Sequence, residues 1–225
     1  RGVLEALGIG VKLSPTDISA RGNFCKINSD SLVVDRRAGR ISTAAATRLV
    51  TKLNTINIPG YDITTYPARE HRFVMVVRGP GLSQEITETD PQIEGVPPLP
   101  LRPKAQRATA TAQVFQSYLE EARSILGDEE GANMILLRGF SKLPNLPSMA
   151  KSYKLTPAAV AVYPMYRGLA ELTGMHVLQT GSLFDDEVET IKANWKEHDF
   201  FLLHYKNTDT AGENADFDAK VAALE

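Results

Sequence analysis

The chain has 225 residues, 43% of them hydrophobic and 23% charged, with a formal net charge of −2. That composition is typical of a soluble globular protein of one large or two small domains, and it excludes a disordered chain and a nucleic-acid binder working by bulk charge. No apolar run approaches the roughly 20 residues of a membrane span, and the single cysteine, Cys25, cannot form an intrachain disulfide and suits a reducing compartment, the cytoplasm.

The chain starts at Arg1 in the Gly-punctuated segment RGVLEALGIG and stops inside the helical pattern DFDAKVAALE, so both ends read as cut rather than natural. ISARGNFCKI (18–27) and SLVVDRR (31–37) read as strands able to form a hairpin, with AGR (38–40) as a turn. TAAATRLVTKLNTI (43–56) has helical periodicity and ends before Pro59-Gly60. HRFVMVVRG (71–79) is apolar at consecutive positions, so it predicts a strand buried on both faces. Residues 80–103 are Pro-rich and loop-like, and a loop of that length is usually functional or a hinge. A long helix follows (108–126), then a buried strand, NMILLRG (133–139), and a Pro-punctuated connector (141–149). From there strands at 158–164, 175–181 and 200–206 alternate with helices at 165–174, 185–198 and 215–225. This rhythm predicts a parallel, doubly covered α/β sheet from about residue 146 onward, after an α+β unit over about 15–145.

Two segments could carry chemistry. VVDRRAGR (33–40) gathers Arg36, Arg37 and Arg40 beside Asp35 at a strand end. Arginine forks grip carboxylate and phosphate, and Asp35 could hold a guanidinium or accept a substrate hydroxyl. Successive strand residues face apart, so Arg36 and Arg37 should not serve one site. Arg21, Asn23, His71 and Arg72 add polar heads in neighbouring strands. A solvated basic hairpin tip with structural ion pairs is the competing reading. The second segment, LLHYKNTDTAGENADF (202–217), follows a buried strand at the edge where open α/β sheets bind ligands. There Asp209 and Glu213 stand one helical turn apart near Lys206 and could ligate Mg²⁺ or Mn²⁺; a helix cap and a solvated carboxylate are the plain alternative. His204, inside a strand, reads as structural, and Cys25 as a small core residue.

RGVLEALGIG, ISARGNFC, VVDRRAGR, EHRFVMVVRG, GLSQEITETDP, ANMILLRG, LPNLPSMAKSY and HYKNTDTAGENADFDAKV occur in this order. The series resembles the archaeal-type 2,3-bisphosphoglycerate-independent phosphoglycerate mutases of the alkaline phosphatase superfamily along nearly the whole chain. The resemblance implies an alkaline-phosphatase-like parallel sheet with an inserted α+β domain. Residues 1–14 would end the first phosphatase segment, 15–145 would form the insert and 146–225 would return to the sheet. It further implies a phosphoserine relay that interconverts 2- and 3-phosphoglycerate at two divalent ions, Mn²⁺ or Mg²⁺. Arg21, Asn23, Asp35, Arg36, Arg40, His71, Arg72 and Lys206 would bind the substrate, and Asp209 and Glu213 the metal. The nucleophilic serine would lie upstream of Arg1, and further metal ligands beyond Glu225. Glu213 departs from the family, which places a histidine there, and Asn214-Ala215 stands where it favours Asp-Gly. Two other functions compete: a non-catalytic module that binds acidic metabolites, and another phosphohydrolase of the superfamily. No nucleic-acid or membrane partner is expected, and oligomeric state is left open.

Overall fold

A computed structural model describes residues 1–225. The chain forms two compact units: Arg1–Ala6 with Lys12–Pro144, and Leu7–Val11 with Asn145–Glu225.

The first unit is an antiparallel sheet with helices on one face. Its strands are β1 (Ile18–Ile27), β2 (Val33–Asp35), β3 (Asp62–Pro67), β4 (Arg72–Arg78) and β5 (Met134–Ser141). β1 is central: β4 pairs along one edge and β5 along the other, β3 lies outside β4, and β2 pairs with the far end of β1. Alternation sorts the side chains. Ile18 and Phe24 of β1, Phe73, Met75 and Val77 of β4, and Ile135 and Leu137 of β5 form one core with helices α2 (Thr43–Leu53) and α3 (Thr109–Leu126), which contribute Leu49, Leu53, Phe115 and Tyr118. Gly22 makes room for this core, because a Cβ there would lie 2.1 Å from Phe73 Cζ. The opposite face carries Arg21 and Asn23 of β1. Arg21 lies in register with Val74 and Arg138, and Asn23 with Arg72 and Leu136.

The Pro-rich segment is ordered by its partners. Thr89 exchanges hydrogen bonds with Leu137 of β5, and Gly95 and Val96 pair with Val33. β2 is shorter than predicted because Asp35 accepts from the backbone N–H groups of Arg37 (2.7 Å) and Gly39 (2.6 Å), which turns the chain out of the ladder. β3 was not predicted. Its sequence, DITTYP, lacks an apolar alternation, and it is held from outside by the Asn54 side chain on Thr65.

The second unit has a parallel sheet in the order β7 (His176–Val177), β6 (Pro157–Ala161), β8 (Phe200–His204). β6 is buried throughout. Ile191 of α6 (Phe184–Asn194) packs on one side of it, and Ala170 of α5 (Pro164–Leu172) with Met149 of α4 (Met149–Tyr153) on the other. β7 is only two residues long, against the seven predicted. Two short helices, α7 (Asn207–Glu213) and α8 (Phe217–Ala222), follow β8, and helix α1 (Gly2–Gly8) opens the chain.

Candidate functional site

The first unit concentrates cationic groups on its helix-free face. Arg21 is 6% exposed and pairs with Glu5 of α1 at 3.5 Å, a spacing at which the charge is offset without a tight bidentate fork. Next to it in register lies Arg138, whose 3.7 Å contact with Asp90 leaves it only partly neutralised. Asn23 faces Arg72 across the strands, and its Oδ1 is buried without a hydrogen-bond partner.

His71 ends the turn that leads into β4. It is 2% exposed, and its Nδ1 also lacks a hydrogen-bond partner, with Glu70 Oε2 at 3.9 Å. Burial first, and then the charges of Arg72, Arg21, Arg37 and Arg40, push its pKa down to about 3. Four arginines therefore act on one neutral imidazole, with Glu5 beside Arg21 and Glu70 beside the ring as the nearby carboxylates. The same turn holds Glu70 at φ +54°, and the loop after β2 holds Ala38, Gly39 and Arg40 at φ +48°, +63° and +52°. Side-chain-bearing residues pay a steric cost in this region, and such positions tend to cluster at ligand sites.

The structure redistributes the predicted roles. Arg36 does not join the His71 group. Its Nε and Nη2 donate to Asp90 Oδ1 at 3.1 and 2.9 Å, and Nη2 also reaches Oδ2 at 2.9 Å. Arg36 thus anchors the Pro-rich segment. Arg37 and Arg40, both exposed in the loop after β2, add positive charge near His71. Asp35 accepts one backbone N–H on each carboxylate oxygen, so its first role in the fold is to hold the turn after β2. Arg138 was missed, although an arginine inside the apolar run MILLRG signals a buried cation that needs a partner.

In the second unit, polar groups collect at the carboxyl edge of the parallel strands. Lys206 Nζ bonds Asp209, lies 3.6 Å from Glu213 Oε2 and sits 5.2 Å above the Tyr163 ring. Burial opposes the Lys206 charge, but Asp209 and Glu213 outweigh it and raise its pKa; in return the hydrogen bond from Lys206 lowers that of Asp209. Asp209 does not cap α7, whose N-cap is Lys206. His204 stacks on Tyr166 at 3.4 Å, and burial lowers its pKa. Two carboxylates around one ammonium fit a hard divalent ion by donor type. By number they supply part of a shell, since no third His, Cys, Asp or Glu gathers with them.

Comparison with known proteins now bears on both clusters. Residues 1–131 match the family described as 2,3-bisphosphoglycerate-independent phosphoglycerate mutase, and residues 107–225 match the metalloenzyme superfamily. The chain belongs to the 2,3-bisphosphoglycerate-independent phosphoglycerate mutase family. Relatives described as probable enzymes of this name are 44% identical in Thermosipho melanesiensis and 42% in Thermus thermophilus, over all of this chain and 56% and 57% of their own length. The chain therefore spans about half the length of the curated relatives it matches. The cofactor-independent phosphoglycerate mutase from Thermoplasma acidophilum superposes with a TM-score of 0.63 at 32% identity, covering 98% of this chain and 64% of that one. The PH0037 protein from Pyrococcus horikoshii, at 20% identity and a TM-score of 0.74, shares the fold. Asp209 and Glu213 lie within the metalloenzyme match, and divalent-metal use goes with that superfamily.

Proposed function

We propose that this chain is part of an enzyme that interconverts 2- and 3-phosphoglycerate through a phosphoserine, the serine lying outside residues 1–225. The observation that carries this reading is the neutral, buried His71 among Arg21, Arg37, Arg40 and Arg72. Phosphoglycerate bears about three negative charges near neutrality, and several neighbouring guanidinium groups suit such a ligand; here Arg21 is buried, Arg72 half-buried, and Arg37 and Arg40 exposed. In this reading Arg40, Arg72 and Arg37 grip carboxylate and phosphate, while Asn23 Oδ1 accepts a glycerate hydroxyl. His71 Nδ1 exchanges a proton with the other hydroxyl. Lys206 is the cation of the second unit's own cluster, beside Asp209 and Glu213. Asp209 and Glu213, with ligands from outside this span, would hold Mn²⁺ or Mg²⁺, which neutralises phosphoryl oxygens and activates the nucleophile.

The first unit is, in this proposal, an insert in a phosphatase-like domain to which the second unit belongs. Supporting this, Leu7–Val11 groups with Asn145–Glu225, so the chain leaves one unit and returns to it. A cytoplasmic setting suits the free, buried Cys25.

The test has two arms. Calorimetric titration of 3-phosphoglycerate into the chain should show binding that Arg72→Gln and Arg40→Gln each weaken at least tenfold; equal binding by these variants removes the arginine site. In a longer protein that carries the missing segments, an enolase-coupled assay with Mn²⁺ should show turnover. Release of inorganic phosphate without 2-phosphoglycerate would assign a phosphohydrolase, and binding with neither product a non-catalytic metabolite module.

A further inference from the structure

At the opposite, amino-terminal edge of the parallel sheet, two histidines meet. His176 is the first residue of β7, and His198 precedes β8. His176 Nδ1 lies 3.4 Å from His198 Nε2, with ring centroids 5.3 Å apart and planes at 57°. We propose that this pair is a surface site for a borderline-soft divalent ion such as Zn²⁺ or Ni²⁺.

Three observations carry it. The first is the span. Two Zn–N bonds of about 2.0–2.1 Å at a tetrahedral angle separate their nitrogens by about 3.3–3.4 Å, which matches the gap between these rings. The second is the tautomer. His198 Nδ1 is 3.1 Å from the carbonyl oxygen of Thr156. A carbonyl can only accept, so Nδ1 carries the hydrogen and Nε2 presents its lone pair to His176. Metal-binding histidines are commonly fixed in this way, with the far N–H on a backbone carbonyl. Thr156 is itself held, its N and Oγ1 donating to Asp199 Oδ1 and Oδ2 at 2.7 and 3.0 Å. The third is position: His176 is exposed and His198 half-buried, so the pair lies at the surface.

The proton balance is simple. Without metal, His176 donates its Nδ1–H to His198 Nε2. With metal, both facing nitrogens give lone pairs, so the His176 hydrogen moves through solvent to its own Nε2 and no net proton is released. No third protein ligand joins, so water completes the shell and binding is far weaker than at a four-ligand structural zinc site. Occupancy ties the start of β7 to the segment entering β8.

The experiment uses the chain carrying Asp209→Asn and Glu213→Gln, so that the carboxylate pair does not compete. Titration with Zn²⁺ should give one site per chain, weakened at least tenfold by His176→Gln or His198→Gln. Zn²⁺ should also raise the melting temperature, and either glutamine variant should abolish that rise. Long-range ¹H–¹⁵N spectra should show His176 switching from the Nδ1–H to the Nε2–H tautomer on Zn²⁺ addition while His198 keeps its Nδ1–H. Undiminished binding by the glutamine variants overturns the site. So does an Nδ1–H retained on His176 at saturating Zn²⁺, since the pair is then only hydrogen-bonded.

Discussion

At His71, burial and four guanidinium groups act in the same direction, against the protonated ring. Its ordinary pKa of 6.5 falls to about 3 in the fold, so between those values the unfolded chain binds a proton that the native chain does not. The stability this contributes is complete above pH 6.5 and is lost as pH falls toward 3, at about 1.4 kcal/mol per pH unit. Urea midpoints measured from pH 7 to 5, above the carboxylate range, should therefore fall more steeply in the native chain than in His71→Gln. Parallel slopes would mean that the arginines do not act on this ring. Bound 3-phosphoglycerate should raise the His71 pKa, because an anion replaces repulsion with attraction. Asp90 is the complementary case. Its side chain is 1% exposed and serves Arg36 and Arg138. Asp90→Ala leaves both cations without their carboxylate, and breaking a buried pair from one side costs about 3–5 kcal/mol. Chemical denaturation should show a loss of that order, whereas Arg48→Ala, at an exposed pair with Glu129, should cost far less. Strand alternation does not decide how Arg36 is used, because β2 ends at Asp35 and the deciding partner, Asp90, lies 54 residues further on.

At the scale of elements, legibility follows local pattern. β1, β4 and α3 carry continuous apolar periodicity, and their boundaries fall within a residue or two of those predicted. β3 escapes notice because an edge strand needs few apolar side chains once its neighbour supplies the ladder and Asn54 clamps its middle. β7 is shorter than its apolar run: Leu178 still donates its backbone N–H to Ala159 of β6 at 2.9 Å and packs with Ala158 and Val160, and the regular ladder ends there. Gly22 is the position in β1 that pattern alone does not explain. It lies between two buried polar residues, and its hydrogen atom fills the place where the Phe73 ring packs. Gly22→Ala should cost about 1–3 kcal/mol by overpacking. A double variant with Phe73→Leu should recover part of that loss, which thermal or urea unfolding can measure. Strictly additive losses would mean that the ring does not meet residue 22.

Over the whole molecule, chemistry is divided by unit: cationic forks on the antiparallel sheet, carboxylates after the last parallel strand. The division was legible because each unit announces itself differently, one by arginines in short strands and the other by the strand–helix rhythm. What the sequence could not supply is which arginines lie near enough to act on the charge of His71: Arg21 and Arg72 come from strand register, Arg37 and Arg40 from the loop after β2. The division makes a prediction about separable functions. Arg72→Gln should weaken 3-phosphoglycerate binding at least tenfold while leaving Mn²⁺ affinity, read by the free-ion electron paramagnetic resonance signal, within about twofold. Asp209→Asn should do the reverse, since the amide keeps the shape of the side chain but removes the charge that a hard cation requires. With two protein carboxylates most of an octahedral shell stays with water, so Mn²⁺ should bind the chain weakly. Because the proposed reading puts the nucleophilic serine outside residues 1–225, the enolase-coupled assay on the chain alone should read background. Turnover above background would place the nucleophile within residues 1–225. Loss of Mn²⁺ binding in Arg72→Gln would show that the two clusters are not independent, and an Asp209→Asn variant with unchanged Mn²⁺ affinity would reduce Asp209 to the counter-ion of Lys206.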